Sequence, residues 1–443
     1  MFKTFKIGGV HPEANKLSAA KAIVGAQLPK TAVIPLAQHI GAPANAVVQK
    51  GDKVKVGQLI GEANGFVSAN IHSSVSGTVS KVDLAVDVAG FKKPAVYIDV
   101  EGDEWLDTID RSDALVTEIK DDAKTIIGKI KDAGIVGMGG ATFPAHVKLS
   151  IPDGKKADFL IINGVECEPY LTADHRLMLE KSAELIVGIK ILMKAINVDK
   201  AYIGIEANKP DAISKLTELC KNEQGIEVVP LKLKYPQGSE KQLINAISGR
   251  EVPSGKLPID AGAVVQNVGT AFAVYEAVQK NKPLIERIVT VTGKTVKEPS
   301  NFRARIGTPV ADLIAAAGGD LEASGKVISG GPMMGKAMTN LESTVTKGTS
   351  GLLLMAADES ERAAAGPCIR CAKCVDACPM GLEPYLLMQY SQRQMWAEDE
   401  ANHIMDCIEC GCCIFSCPAK RPILDYVRLG KNTVGKIIRS RKQ

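Results

Sequence analysis

Aromatic residues make up 4% of this 443-residue chain, and no run of apolar residues approaches the roughly twenty that a membrane-spanning helix requires. The stretch Gly351 to Ala357 is far too short, so the chain is expected to be soluble or peripheral. An excess of one charge is missing too: 54 Lys and Arg stand against 50 Asp and Glu, a net +4. With no basic patch interleaved with aromatics, nucleic-acid binding is excluded. The six histidines, at positions 11, 39, 72, 146, 175 and 403, form no metal constellation and are expected on the surface or in the core. Cysteine is nearly absent before residue 368, where Cys167 and Cys220 stand alone, and nothing at the start resembles a secretory signal. That usage points to a reducing cytoplasm.

What is present is concentrated near the C-terminus, where nine of the eleven cysteines lie. Cys368, Cys371, Cys374 and Cys378 precede Pro379; Cys407, Cys410, Cys413 and Cys417 precede Pro418. Each run reads C-x-x-C-x-x-C-x-x-x-C-P, the spacing in which three thiolates wrap one [4Fe–4S] cluster and the fourth reaches across to the other. The expected ligand sets are therefore crosswise: Cys368, Cys371, Cys374 and Cys417 for one cluster, Cys407, Cys410, Cys413 and Cys378 for its partner. Disulfides within such a tight loop would be strained, and zinc sites normally show two separated C-x-x-C pairs. Cys412 reads as a bystander. The tail beyond Lys420 carries seven basic residues against Asp425 and reads as a solvated end, with contact to an acidic partner or anionic lipid as the alternative.

The length suits roughly three domains, and 45% hydrophobic content supports packed cores. Valine- and glycine-rich alternation up to about residue 100 predicts small β-structure. Within it, Gly51-Asp52-Lys53-Val54 through Gly61 and Ser76-Gly77-Thr78-Val79 resemble half of a lipoyl-type sandwich, but the turn at Asn64 to Val67 offers no lysine to modify, so a scaffold is expected. Apolar residues from Leu115 to Ile130 predict a helix leading into the glycine loop from Gly134 to Pro144. Strands are expected at 157–162, 201–205 and 226–231, with helices over 174–196 and 211–221, hence a parallel sheet whose ligands bind at the strands' carboxyl ends. Two polar loops fall there, Asn163 to Pro169 and Tyr235 to Lys241. Short strands return after residue 286, and 382–403 reads as a long helical segment between the cysteine runs. Clusters need a feeder of single electrons, and a flavin is the common converter from a two-electron donor.

These residues resemble known families. Gly137-x-Gly139-Gly140-Ala141-x-Phe143-Pro144 with Lys148 is similar to the flavin loop of the NADH-oxidising subunit of respiratory complex I. Asn163-Gly-x-Glu166-x-Glu168-Pro169, Gly238-Ser239-Glu240 and Gln266-Asn267-Val268 are similar to further stretches of that subunit, with Val165, Cys167 and Ser239 departing from its pattern. Gly8-Gly9-Val10-His11-Pro12 with Asn15-Lys16, the sandwich half and the twin cysteine runs make the whole chain resemble the C subunits of Rnf complexes.

That resemblance implies a multidomain α/β fold. Its parts would be a lipoyl-like barrel-sandwich domain over 1–112, a complex I-type FMN/NAD(H)-binding α/β domain over 113–285, and an SLBB β-grasp domain over 286–350. A helical ferredoxin-like domain with two [4Fe–4S] clusters and a basic tail would cover 351–443. It further implies non-covalent FMN held by Gly137, Gly139, Gly140, Lys148, Asn163, Gln266 and Asn267, with Glu166 and Gly238 also among the cofactor-binding residues. Phe143, Glu168 and Glu240 would lie nearer NAD(H), with Glu168 and Lys148 as the catalytic pair. The implied partners are other Rnf membrane and iron–sulfur subunits and, through them, ferredoxin. The implied location is peripheral, at the cytoplasmic face of the cell membrane. A microcompartment cobalamin reductase and a flavin-free wire or scaffold subunit are the rival readings.

Overall fold

Alternation decides the first region. In the strand Thr31–Pro35, Ala32 and Ile34 point inward while their neighbours are half exposed, as expected of a sheet with one wet face. The computed structural model, which describes residues 2–441, joins this strand to Lys92–Val100, Gly77–Val86 and Lys53–Val54 in an antiparallel sheet. A three-stranded sheet, Asn45–Ala46, Leu59–Glu62 and Ile71–His72, shares its core through Ile60 and Ile71.

The apolar runs at Phe159–Asn163, Ala201–Glu206, Ile226–Leu231 and Ala263–Asn267 are near-continuous, the pattern of strands covered on both faces. They form a four-stranded, all-parallel sheet in the order 226–231, 201–206, 159–163, 263–267. Helices Ser182–Ile196 and Val268–Lys280 cover one face, and Gly188 lets them touch: a Cβ there would come 2.1 Å from the Ala271 carbonyl oxygen. Helix Glu240–Ser248 covers the other face with Leu243, Ile244 and Ile247. The chain steps away from Phe159–Asn163 in one direction and returns on its opposite side as Ala263–Asn267. The strand order therefore reverses between these two, which opens a crevice at their carboxyl ends.

The third region is a six-stranded mixed sheet with helix Val310–Ala316. The strand Gly351–Ala356 pairs inside it, between Glu286–Thr292 and Ser324–Ser329, so the sheet reaches past residue 350. The last region is helical. The segment expected as one long helix after Leu382 is two, Pro384–Gln392 and Trp396–Ala401, broken where Gln394 adopts φ 58°.

The basic tail is not merely a solvated end. Residues Ile423–Ser440 form a helix whose Ile423, Leu424, Val427 and Val434 are buried, while Arg428 and Lys431 pair with Glu409 and Lys436 and Arg439 are exposed. Gly430 permits its approach to Pro384–Gln392, since a Cβ there would lie 2.1 Å from Ser391 Oγ.

Two long-range pairings were not expected. Val10 and Tyr235 exchange backbone hydrogen bonds of 2.8 Å, and the Gly9 amide donates to the Ala377 carbonyl at 2.9 Å. Ile23–Gly25 adds a parallel strand beside Asn301–Arg303. Residues 3–25 thus strap the α/β, β-grasp and cluster regions together. The helix predicted from Leu115 begins only at Ala123, where Asp122 caps it through the Thr125 amide. Among the described residues no helix is long and apolar enough to cross a membrane.

Candidate flavin crevice and iron–sulfur centres

The glycine loop runs from the end of helix Ala123–Asp132 to the short helix Ala145–Leu149, and lies over the crevice where the strand order reverses. Its turn is closed by the Gly137 amide, which donates to the Phe143 carbonyl at 2.8 Å. The Met138 amide donates to Thr270 Oγ1 at 3.0 Å, tying the loop to the first turn of helix Val268–Lys280. Gly139 is needed for close approach, because a Cβ there would stand 3.2 Å from that of Asn267. Gly140 is needed for its φ of 151°, a conformation that side chains rarely adopt, and the space beside it is open.

Several residues singled out in the sequence meet here. Asn163 Nδ2 donates to the Gly238 carbonyl at 2.8 Å, joining the two strand-end loops. Asn267 Oδ1 caps helix Val268–Lys280 by accepting from the Gly269 amide at 2.8 Å, and its Nδ2 donates to Asp174 Oδ2 at 2.7 Å. Lys148 and Glu240 form an ion pair. Phe143 is half-buried. Gln266 is 2% exposed, and its Nε2 is a buried donor without a partner.

The two acids of the Asn163 to Pro169 loop are occupied differently. Glu166 accepts from the Asp174 and His175 amides at 2.7 and 3.3 Å and so caps helix Ala173–Glu180. Glu168 accepts from the Met333 and Met334 amides at 3.1 and 2.7 Å, which docks the β-grasp turn onto the crevice. Burial outweighs those bonds and pushes its carboxyl up to about 6. Lys16 holds the loop from beneath, donating to the carbonyls of Glu166, Glu168 and Leu171 at 2.8, 2.9 and 2.6 Å. Burial raises Asp174 to about 7, with the charge of Glu166 the next cause. Asp174 and Thr270 carried no motif in the sequence; proximity alone reveals them. Cys167 is pushed up to about 12 by burial and accepts from the Gly238 amide, so it is no reactive thiolate.

The cysteine runs fold alike. In each C-x-x-C, the residue before the second cysteine and the residue after it have positive φ: Arg370 and Ala372 in one, Glu409 and Gly411 in the other. Such turns aim successive thiols at one side. Cys407, Cys410, Cys413 and Cys378 line a single apolar cavity with Met380, Leu387, Ile408 and Val427, which brings together one of the two crosswise sets; Cys412, expected as a bystander, lines the same cavity. In the other set Cys368 and Cys371 are exposed, Cys374 is half-buried and Cys417 is buried in the same core as Cys374. Among the described residues no three His, Cys, Asp or Glu side chains converge on a single metal ion.

Backbone amides already serve sulfur here: Leu382 N donates to Cys378 Sγ and Glu409 N to Cys407 Sγ, both at 3.4 Å. Cysteine thiols gathered around an apolar cavity with such donors fit a cluster better than a hydrated ion. The glycine backbone over an open crevice, with an orphan amide at the end of the neighbouring strand, fits a polar planar ligand bearing a phosphate. The two sites adjoin. Tyr235 Oη donates to the Cys410 carbonyl at 2.9 Å, and Gln242 Nε2 to that of Pro379 at 3.1 Å.

Fold and site together define an iron–sulfur flavoprotein of electron transport, and comparison with known proteins narrows this. The Nuo51 FMN-binding domain family matches residues 130–276, the RnfC barrel sandwich hybrid domain 3–103, the SLBB domain 288–337 and the 4Fe-4S dicluster domain 362–420. The chain is 48% identical to the C subunit of the Na(+)-translocating ferredoxin:NAD(+) oxidoreductase complex of Acetobacterium woodii, over 97% of each chain. It is 48% identical to the C subunit of the proton-translocating ferredoxin:NAD(+) oxidoreductase complex of Clostridium ljungdahlii, over 98% of this chain and 94% of that one. With the C subunit of the ion-translocating oxidoreductase complex of Rhodobacter capsulatus it shares 43%, over 86% and 73%. The chain belongs to the family of C subunits of ion-translocating ferredoxin:NAD⁺ oxidoreductase complexes, the Rnf family. Relatives of full length with that name displace the cobalamin reductase alternative.

Proposed function

We propose that this chain exchanges hydride with NAD(H) at its α/β domain and relays single electrons through its cysteine-run domain to other subunits of an Rnf-type complex. It would do so as a peripheral protein at the cytoplasmic membrane face. FMN, when bound, converts hydride transfer into single-electron steps. Gly137, Gly139, Gly140, Lys148, Asn163, Gly238, Gln266 and Asn267 hold it in this reading. Phe143, Glu168 and Glu240 face the nicotinamide nucleotide, where the Lys148–Glu240 pair orients the incoming ligand. Glu166 acts indirectly, by capping the helix that carries Asp174.

The observation that carries the reading is the Tyr235 bridge. It ties the loop bearing Gly238 and Glu240 to the carbonyl of Cys410. The cavity of Cys378, Cys407, Cys410 and Cys413 is therefore the cluster position next to the flavin crevice, and the exposed Cys368 and Cys371 belong to the one facing partners. Relatives named for a sodium-translocating and for a proton-translocating complex are equally similar to this chain, so similarity does not distinguish the coupled ion. Lys148→Ala and Asn163→Ala test the site. Both should lose NADH-driven reduction of an artificial acceptor, and unchanged rates would overturn the assignment.

A further inference from the structure

Arg287 is the second residue of the β-grasp strand Glu286–Thr292, and its guanidinium lies against Met138 of the glycine loop. It is 6% exposed. Its Nη1 stands 2.6 Å from the sulfur of Met138, the residue between Gly137 and Gly139, and its Nε donates to the Thr349 carbonyl at 3.2 Å. A Cβ on Gly269 would lie 3.4 Å from Nη1, so the guanidinium also abuts the first turn of helix Val268–Lys280.

A thioether and one carbonyl are poor company for a buried cation. Thioether sulfur is a weak acceptor, and a charge taken out of water needs a counter-ion or a full set of hydrogen bonds. Among the described residues Arg287 makes no ion pair. The carboxylate whose charge it feels is that of Asp174, which lies beyond ion-pair distance and accepts from Asn267 Nδ2 at 2.7 Å. A buried guanidinium beside the positive end of a 13-residue helix and a glycine backbone is the donor set for an anion that the polypeptide does not itself supply.

Other contacts show that this region of the β-grasp module is part of the loop's floor. Lys347 Nζ donates to the Gly134 carbonyl at 2.7 Å, and Gly348 leaves room for Thr142, whose Cγ2 would lie 2.6 Å from an added Cβ. We infer that Arg287 supplies the counter-charge for the phosphate monoester of FMN, making the β-grasp module a component of the flavin site. The inference rests on the reading of the glycine loop as the flavin loop.

The test is equilibrium binding by the flavin-depleted full-length protein of FMN, riboflavin and inorganic phosphate, for wild type, Arg287→Met and Arg287→Lys. Loss of a charge-assisted bidentate contact should weaken FMN by about tenfold to a hundredfold in the Met variant. Riboflavin affinity should not change, and the Lys variant should fall between. Inorganic phosphate should compete with FMN in the wild type and not in the Met variant. Equal weakening of FMN and riboflavin, or neither, would overturn the inference, as would an effect on NADH binding alone. A wild type that binds no FMN would defeat the flavin reading itself, and this inference with it.

Discussion

Replacing Cys378 with alanine separates crosswise ligation from ligation within each run. Cys378 belongs by sequence to the first run, but its thiol lines the cavity of Cys407, Cys410 and Cys413. It is 7% exposed, so the substitution removes one buried sulfur, a packing loss on the order of 1 kcal/mol by analogy with deleting a single buried methyl. The Leu382 amide also loses a 3.4 Å contact to sulfur, which is long and weak. Against a typical domain stability of about 5–15 kcal/mol the chain stays folded. Any loss of iron therefore reports ligation. Iron should fall from about eight to about four per chain, and EPR should lose the signal that Cys410→Ala also removes while retaining the one removed by Cys371→Ala. Selective loss of the Cys371-dependent signal would refute the crosswise assignment.

Glu168 gives a pH-dependent prediction. Burial lifts its pKa from 4.5 to about 6, so the folded chain holds this proton more tightly than the unfolded chain does. The stability this lends below pH 4.5 is lost as pH rises to about 6, a change on the order of 2 kcal/mol. Thermal melts of wild type and Glu168→Gln should diverge across that window, and parallel curves would contradict the reasoning. Lys431 donates to the Cys407 carbonyl at 2.6 Å and pairs with Glu409 at 3.0 Å, placing a cation beside one cluster position. Lys431→Met should lower the reduction potential of that cluster alone in an EPR-monitored titration, with Lys431→Arg restoring it; equal shifts of both clusters would rule this out.

The turns of the cysteine runs were legible because all eight cysteines lie in two short stretches whose spacing sets the loop geometry. The parallel sheet was legible because strands buried on both faces write unbroken apolar runs, as at Phe159 to Ile162. What stayed hidden is long-range. Nothing local in Gly8-Gly9-Val10 indicates that it pairs with Tyr235 and Ala377, residues more than two hundred positions away. Helix Ile423–Ser440 was obscured by its charges, although Ile423, Val427 and Val434 trace a buried stripe. Helix period alone could not locate the break at Gln394, which depends on a left-handed residue. Glu166 was read as a ligand contact, and nothing local to it indicated that its carboxylate also caps a helix through the Asp174 and His175 amides. Arg287 had no motif at all. It became visible only as a buried charge without an ion-pair partner.

The proposed electron path runs between NAD(H), a flavin and two clusters within one chain. Anaerobic purification with iron, sulfide and flavin quantification, followed by NADH addition while flavin and cluster absorbance are recorded together, tests it most directly. About eight irons and one FMN per chain, with both chromophores bleaching on NADH addition, is the predicted result. Clusters that form without flavin and do not respond to NADH would contradict it and leave the chain an electron wire.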